Sequence, residues 1–160
     1  MHPRAQELIT HLNLRPHPEG GHYREIHRSG LGVDPADGRP RRAALTVIHF
    51  LLTRGEFSRW HAVTSDEQWQ FVEGDDLLLL VCDPEFRAVS ELTVSRDPVE
   101  RSTHVVPAGY WQAARSSGDY SLVTCTVGPG FDFADFRMLA DAPHEAEAFG
   151  KAQAAWKRFV

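Results

Sequence analysis

The chain has 160 residues, 42% hydrophobic and 24% charged, enough for one domain with a substantial core and too few for two ordinary ones. A formal charge of -5 and a pI near 6.0, with Lys and Arg dispersed apart from the run Arg39 to Arg42, argue against nucleic acid as a main partner. The N-terminal residues lack the basic start and apolar core of a signal peptide, and runs such as Leu77 to Cys82 are too short to span a bilayer, so a soluble cytoplasmic protein is expected.

Residues 3 to 13 start with a proline and place Leu8, Ile9 and Leu12 on one helical face, which predicts a short amphipathic helix outside a sheet. From His22 the period changes. His22 to Arg28 alternates as a strand, whereas Ser29 to Arg42 is rich in Gly, Pro and Asp and reads as a long loop, a candidate lid. Ala43 to Leu52 is β-branched and apolar enough to be buried on both faces, and Arg54-Gly55 breaks it. One small barrel wall cannot cover two such faces, which predicts a dimer. His49, opposite in parity to Thr46, Ile48 and Phe50, would face the subunit contact.

The local string from Thr64 to Glu67 matches a helix capping box, yet the residues after it alternate, and a strand is the better reading. Gln68 to Glu73 and Leu77 to Cys82 flank Gly74-Asp75 and read as a hairpin. Further strands over 88–94, 103–106, 111–115 and 120–127, broken by turn residues at short spacing, suit a sandwich or barrel. Pro143 to Val160 returns to helical composition as a closing helix. Cys82 and Cys125 sit in apolar strands and are expected to be buried free thiols.

Candidate chemistry starts at His61 and Glu67. Alternation puts Arg59, His61 and Val63 on one face of their strand and Glu67, Trp69 and Phe71 on one face of the next. An imidazole and a carboxylate inside a barrel can bind a metal, act as a base oriented by an acid, or satisfy each other as a buried polar pair. HPEGG, with Tyr23, Glu25 and Arg28 beyond it, forms a second cluster. Its glycines either let a ligand approach or only shape a helix-to-strand connector. Phe131, Phe133 and Phe136 are expected to be an aromatic core. Trp60, Trp69 and Trp111 either wall a pocket or fill the barrel, and His2, His11, His17, His27 and His144 are expected in solvent.

Gly55, His61, Glu67 and Gly74 keep the spacing G-x5-H-x-V-x3-E-x6-G, and Pro107-Ala108-Gly109-Tyr110-Trp111-Gln112 follows. With HPEGGHYREIHRS (17–29), WHAVTSDEQW (60–69), VVPAGYWQAAR (105–115) and VGPGFDFADF (127–136), in that order, the chain resembles the small single-domain cupins related to sugar-nucleotide epimerases. Most members of that family lack an assigned activity. The resemblance runs from about Leu8 to Met138. It implies an all-β fold: one cupin domain over 1–160, a double-stranded β-helix or jelly-roll barrel with a motif-bearing core at about 17–138 and short N-terminal and C-terminal helices.

The resemblance also implies a site. General cupins hold a metal with three histidines and one glutamate, and here Val63 and Gln112 stand where two of those histidines would be. His61, Glu67 and Gln112 are the candidate metal ligands, and a neutral amide replaces an imidazole poorly, so either no cofactor or a weakly bound divalent metal is expected. In the metal-free epimerases a first-motif histidine is the base and a tyrosine the acid, which implies His61 with Tyr23 or Tyr110. Gln112 and Arg115 are candidate donors to a developing enolate oxygen, and Gly21, Glu25, Arg59 and Trp69 complete the expected binding surface. Three classes follow: an isomerase or epimerase acting on a small polar carbonyl-containing metabolite, a metal-dependent cupin enzyme, and a non-catalytic small-molecule binding module. A homodimer is implied as well.

Overall fold

The computed structural model describes residues 1–97 and 102–160. Helix α1 (Pro3–His11) leads into β1 (Arg15–Pro16), β2 (His22–Arg28), β3 (Gly32–Val33), β4 (Arg42–Ala43), β5 (Thr46–Thr53), β6 (Ser58–Val63) and β7 (Asp66–Gly74). Then come β8 (Leu77–Cys82), β9 (Val89–Val94), β10 (Thr103–Val106), β11 (Trp111–Ser116), β12 (Tyr120–Gly128), β13 (Phe136–Met138) and α2 (Pro143–Ala152). A six-stranded sheet in the order β1-β2-β5-β12-β7-β10 faces a five-stranded sheet in the order β13-β6-β11-β8-β9. This is the expected jelly roll, mostly β, with one helix at each end of the chain. Among the described residues no helix is long and apolar enough to cross a membrane.

The two-residue period of each strand explains the layering. On β8, Leu77, Leu79 and Val81 point inward to an apolar cluster with Phe50, Trp69 and Ala114, while Leu80 and Cys82 point outward. The outward set joins Trp60, Ala62 and Trp111 beneath Phe149 of α2 and Phe159 of the 3-10 turn that follows it. On the other side, Ala5 and Leu8 of α1 cover Leu51 and Leu122. Each sheet is therefore buried on both faces without a second chain at those positions. The outer face of β5, read from sequence as uncovered, is closed at Leu51 by the N-terminal helix, while Val47 and His49 stay half-buried. Removing the Phe149 ring would cost about 3–5 kcal/mol, because it is fully buried against two tryptophan-bearing strands.

Two local expectations change. Strands β7 and β8 do not form a hairpin: β7 pairs with β12 and β10, and β8 with β11 and β9, so the Gly74-Asp75 turn carries the chain from one sheet to the other. Gly74 does adopt a positive φ of 103°, and a Cβ there would overlap the Tyr120 carbonyl. The turn residues encode a reversal, but long-range pairing chose the partners. Residues 29–42 also differ from an open loop. They form the β3-β4 ribbon, and Arg39 and Arg42 both reach Asp135 at 2.9 Å. That clamp ties the ribbon to the barrel, and its residues do not line the cavity described below.

Candidate functional site

One end of the barrel, where β5 begins and β12 ends, encloses a cavity of ≈370 Å³. That is large enough for a small metabolite. Thr46, Ile48 and Phe50 come from β5, Cys125 and Val127 from β12, His61 and Val63 from β6, and Glu67 from β7. Tyr23, Glu25 and Arg28 of β2 form a wall, and Phe131, Phe133 and Phe136 surround the mouth. Phe133 is 53% exposed, so the three phenylalanines are a rim and not the sealed core expected from sequence.

His61 is 1% exposed and its Nδ1 lies 2.7 Å from the Arg59 carbonyl oxygen. A carbonyl only accepts, so the proton of the neutral ring sits on Nδ1 and the lone pair of Nε2 faces the interior. Glu19 Oε2 is 3.2 Å from that Nε2. Glu19 comes from HPEGG, where the close approach of two glycines brings the segment against β6. Gly20 and Gly21 have φ of 111° and 67°, and a Cβ on Gly20 would overlap the Phe57 carbonyl. Their role is thus to let the connector pack on the barrel and carry Glu19 inside. The other Glu19 oxygen accepts the Ser58 hydroxyl at 2.9 Å.

Burial pushes the Glu19 carboxyl up to about 8, with the Ser58 hydroxyl and Arg59 charge acting against it. It also lowers His61, against the pull of Glu67 and the Arg59 carbonyl. A 3.2 Å contact fits either an ion pair or a protonated carboxyl donating to a neutral ring. These opposite shifts select the second form near neutral pH. His17, expected in solvent, is buried instead and held down to about 3 by burial and by the neighbouring His61. Its Nδ1 accepts the Glu19 backbone N–H at 3.3 Å, and its ring meets Tyr23 edge-on.

Glu67 is pushed up to about 7, chiefly by burial, with His61 opposing and Glu19 adding. One of its oxygens accepts the Gln112 side-chain amide at 2.5 Å, and the Gln112 oxygen in turn accepts the Trp69 indole N–H at 2.8 Å. Both ends of the Gln112 amide are therefore engaged. Val63 offers only methyl groups to the cavity, so two of the positions that hold imidazoles in a general cupin have no free donor. Among the described residues no three His, Cys, Asp or Glu side chains are grouped to hold an ion. The residues present do not fit the metal of a three-histidine cupin.

The profile of the family described as Cupin superfamily (DUF985) matches residues 6–139. The chain belongs to this cupin family. This cupin is 33% identical to a hypothetical protein from Leishmania major over 98% of each chain, with a TM-score of 0.87. It is 32% identical to a protein from Shewanella oneidensis over 98% of this chain and 96% of that one, with a TM-score of 0.85. The capsular polysaccharide assembling protein CapF of Staphylococcus aureus shares the fold at 18% identity and a TM-score of 0.59, over 78% of this cupin and 31% of CapF. No curated protein matches the chain.

The sequence-derived residues divide clearly in this cupin. His61, Glu67, Tyr23 and Glu25 line the cavity together, and Val63 points the same way as His61. Gln112 and Trp69 lie one step behind, as the support of Glu67. Four others are elsewhere. Tyr110 packs against the inner apolar cluster and does not line the cavity. Arg59 turns out of the barrel to the Pro18 carbonyl at 2.7 Å, because an extended arginine escapes to water where the strand starts. Gly21 contacts Leu51 and Leu52, and Arg115 lies at the opposite end of the barrel. Motif spacing missed Glu19, Ser58 and His17. The available signal was an acid directly before two glycines, a place where backbone can approach a wall closely.

Proposed function

We propose that this cupin binds a small polar, carbonyl-containing metabolite in the cavity and moves a proton on it, as an isomerase or epimerase does. The observation that carries the reading is the Glu19–His61 contact. It sets a carboxyl whose proton affinity is raised against an imidazole whose affinity is lowered, at the base of an enclosed space, beside a second carboxyl, Glu67, near neutrality. His61 and Glu67 are the candidate acceptors for an acidic C–H proton. With Glu19 ionised, His61 takes the proton at Nε2 and passes it to the Glu19 carboxylate, while the Arg59 carbonyl holds the Nδ1 proton in place. Tyr23, on the facing wall, is the candidate donor to the oxygen on which charge develops. The phenylalanine rim suits the apolar face of a ring and limits the entry of water.

The test is solvent deuterium exchange into bound sugar nucleotides and keto acids. Wild-type protein should catalyse exchange on at least one of them, His61→Ala should not, and a chelator should change neither result. Absence of exchange and turnover across the whole panel would leave a binding module as the better account. We also propose that the protein works in the cytoplasm as a homodimer. β1 pairs only with the first two residues of β2, which leaves the rest of that strand as an edge, with Ile26 46% exposed on it. Light scattering at 18.0 kDa would refute the dimer.

A further inference from the structure

The opposite end of the barrel carries a second concavity, of ≈330 Å³, which the proposed reaction does not use. It lies where β5 ends and β12 begins. The β5-β6 turn contributes Arg54 and Glu56, the end of β11 contributes Arg115 with the Ser117-Gly118 turn behind it, and the C-terminal 3-10 segment contributes Arg158. Three guanidinium groups and the Glu56 carboxylate line it, with Asp119 beside Arg54 at its edge and Asp75 behind Gly118. The Glu56 carboxylate is already occupied. One Glu56 oxygen accepts the Thr53 backbone N–H and hydroxyl, both at 2.8 Å, and the other faces His22 at 3.8 Å.

The arginines differ in what already satisfies them. Arg54 meets Asp119 at 3.0 Å, an exposed pair that water screens. Arg158 lies over the Phe159 ring and has no carboxylate partner among the described residues. Arg115 donates one terminal N–H to the Ser116 carbonyl at 3.3 Å, while its Nε is buried with no hydrogen-bond partner among the described residues. A buried guanidinium N–H without an acceptor is costly, and an oxyanion supplies what it lacks.

We propose that this groove is a binding site for a phosphate-class oxyanion, held by Arg115 and Arg158 with Arg54 at its edge. Guanidinium forks match the tetrahedral oxygens of phosphate, and two such groups balance its charge. The site is separate from the His61 cavity, since its residues come from the other ends of the same strands.

Inorganic phosphate titrated into the full-length, 15N-labelled protein at constant ionic strength tests this directly. Saturable shifts are expected at the Gly55, Phe57, Ser117 and Gly118 amides and at the Arg115 Nε–H resonance, with the amides of the His61 cavity unmoved. Arg158→Gln, on an exposed side chain, should weaken binding roughly tenfold or more while the rest of the spectrum is retained, and Arg54→Gln should weaken it less. Arg115→Lys keeps the charge but loses the fork, so it too should weaken binding. Shifts that chloride reproduces, shifts that do not saturate, shifts confined to the His61 cavity, or unchanged affinity in Arg158→Gln would each overturn the proposal.

Discussion

Two polar clusters share the barrel interior, and they differ in what their hydrogen bonds leave open. Around Glu67 the bonds run in one direction: the Trp69 indole donates to Gln112, and the Gln112 amide donates to Glu67. Around Glu19 one contact depends on where a single proton sits. The His17 lone pair at Nδ1 is taken by the Glu19 backbone N–H and the Ser58 hydroxyl donates to one Glu19 oxygen, so the lone pair of His61 Nε2 can be answered only by a proton that Glu19 itself carries. A saturated network holds side chains in place, whereas a network that shares one proton can exchange it. On the proposed reading the first cluster serves position and the second proton transfer, with Glu67 coupled electrostatically to His61 and Glu19.

The largest effect that sharpens this contrast is expected at His61. His61→Ala should lower exchange on the order of 10²–10⁴-fold, measured by deuterium incorporation, because it removes the Nε2 that meets Glu19. Glu19→Gln should also lower exchange strongly while the protein stays folded, since an amide keeps a donor for the His61 ring but cannot give up a proton. Retained exchange in Glu19→Gln would break the assignment of Glu19 as the proton reservoir. Gln112→Ala should do the reverse. It strands the Trp69 indole and one Glu67 oxygen, and chemical denaturation should show a loss of about 1–3 kcal/mol with exchange only moderately reduced.

The two clusters also set a pH profile. Glu19 and Glu67 titrate near 8 and 7 in the folded protein, above the 4.5 of a free glutamate, so the folded state holds extra protons between those values. The stability they contribute is full below pH 4.5 and is lost as pH rises through about 7 to 8. His17 moves the other way, from 6.5 to about 3, so its contribution is present above pH 6.5 and is lost as pH falls through 3. Urea unfolding should therefore show greatest stability in mildly acid solution, with an alkaline decline that is shallower in Glu19→Gln. A profile identical in wild type and variant would contradict the burial argument. The smallest expected effect is that of Tyr110→Phe, which should leave exchange unchanged because Tyr110 is outside the cavity, whereas Tyr23→Phe should slow it.

Much of this was legible before any coordinates. Strand period put His61 and Val63 on one face and Glu67 on one face of the next strand, and the cupin resemblance carried by the G-x5-H-x-V-x3-E-x6-G spacing implied that those faces look into the barrel. Period works there because each residue of a strand has only two faces to choose from, and one of them is buried. Arg59 obeyed the same parity yet escaped, since a long charged side chain at a strand end can bend to water.

What lay beyond the sequence was every contact between segments that parity does not relate. The meeting of Glu19 with His61, the separation of β7 and β8 into different sheets, the burial of His17 and the removal of Arg115 to the far end all depend on how the sheets close and where the connector lies. Alternation along the chain determined a series of short strands suited to a sandwich or barrel, and the motifs that resemble cupins implied the jelly roll with an imidazole and a carboxylate inside it. Only the tertiary structure decided which carboxylate the imidazole faces, because that choice rests on a backbone approach that two glycines permit but do not by themselves specify.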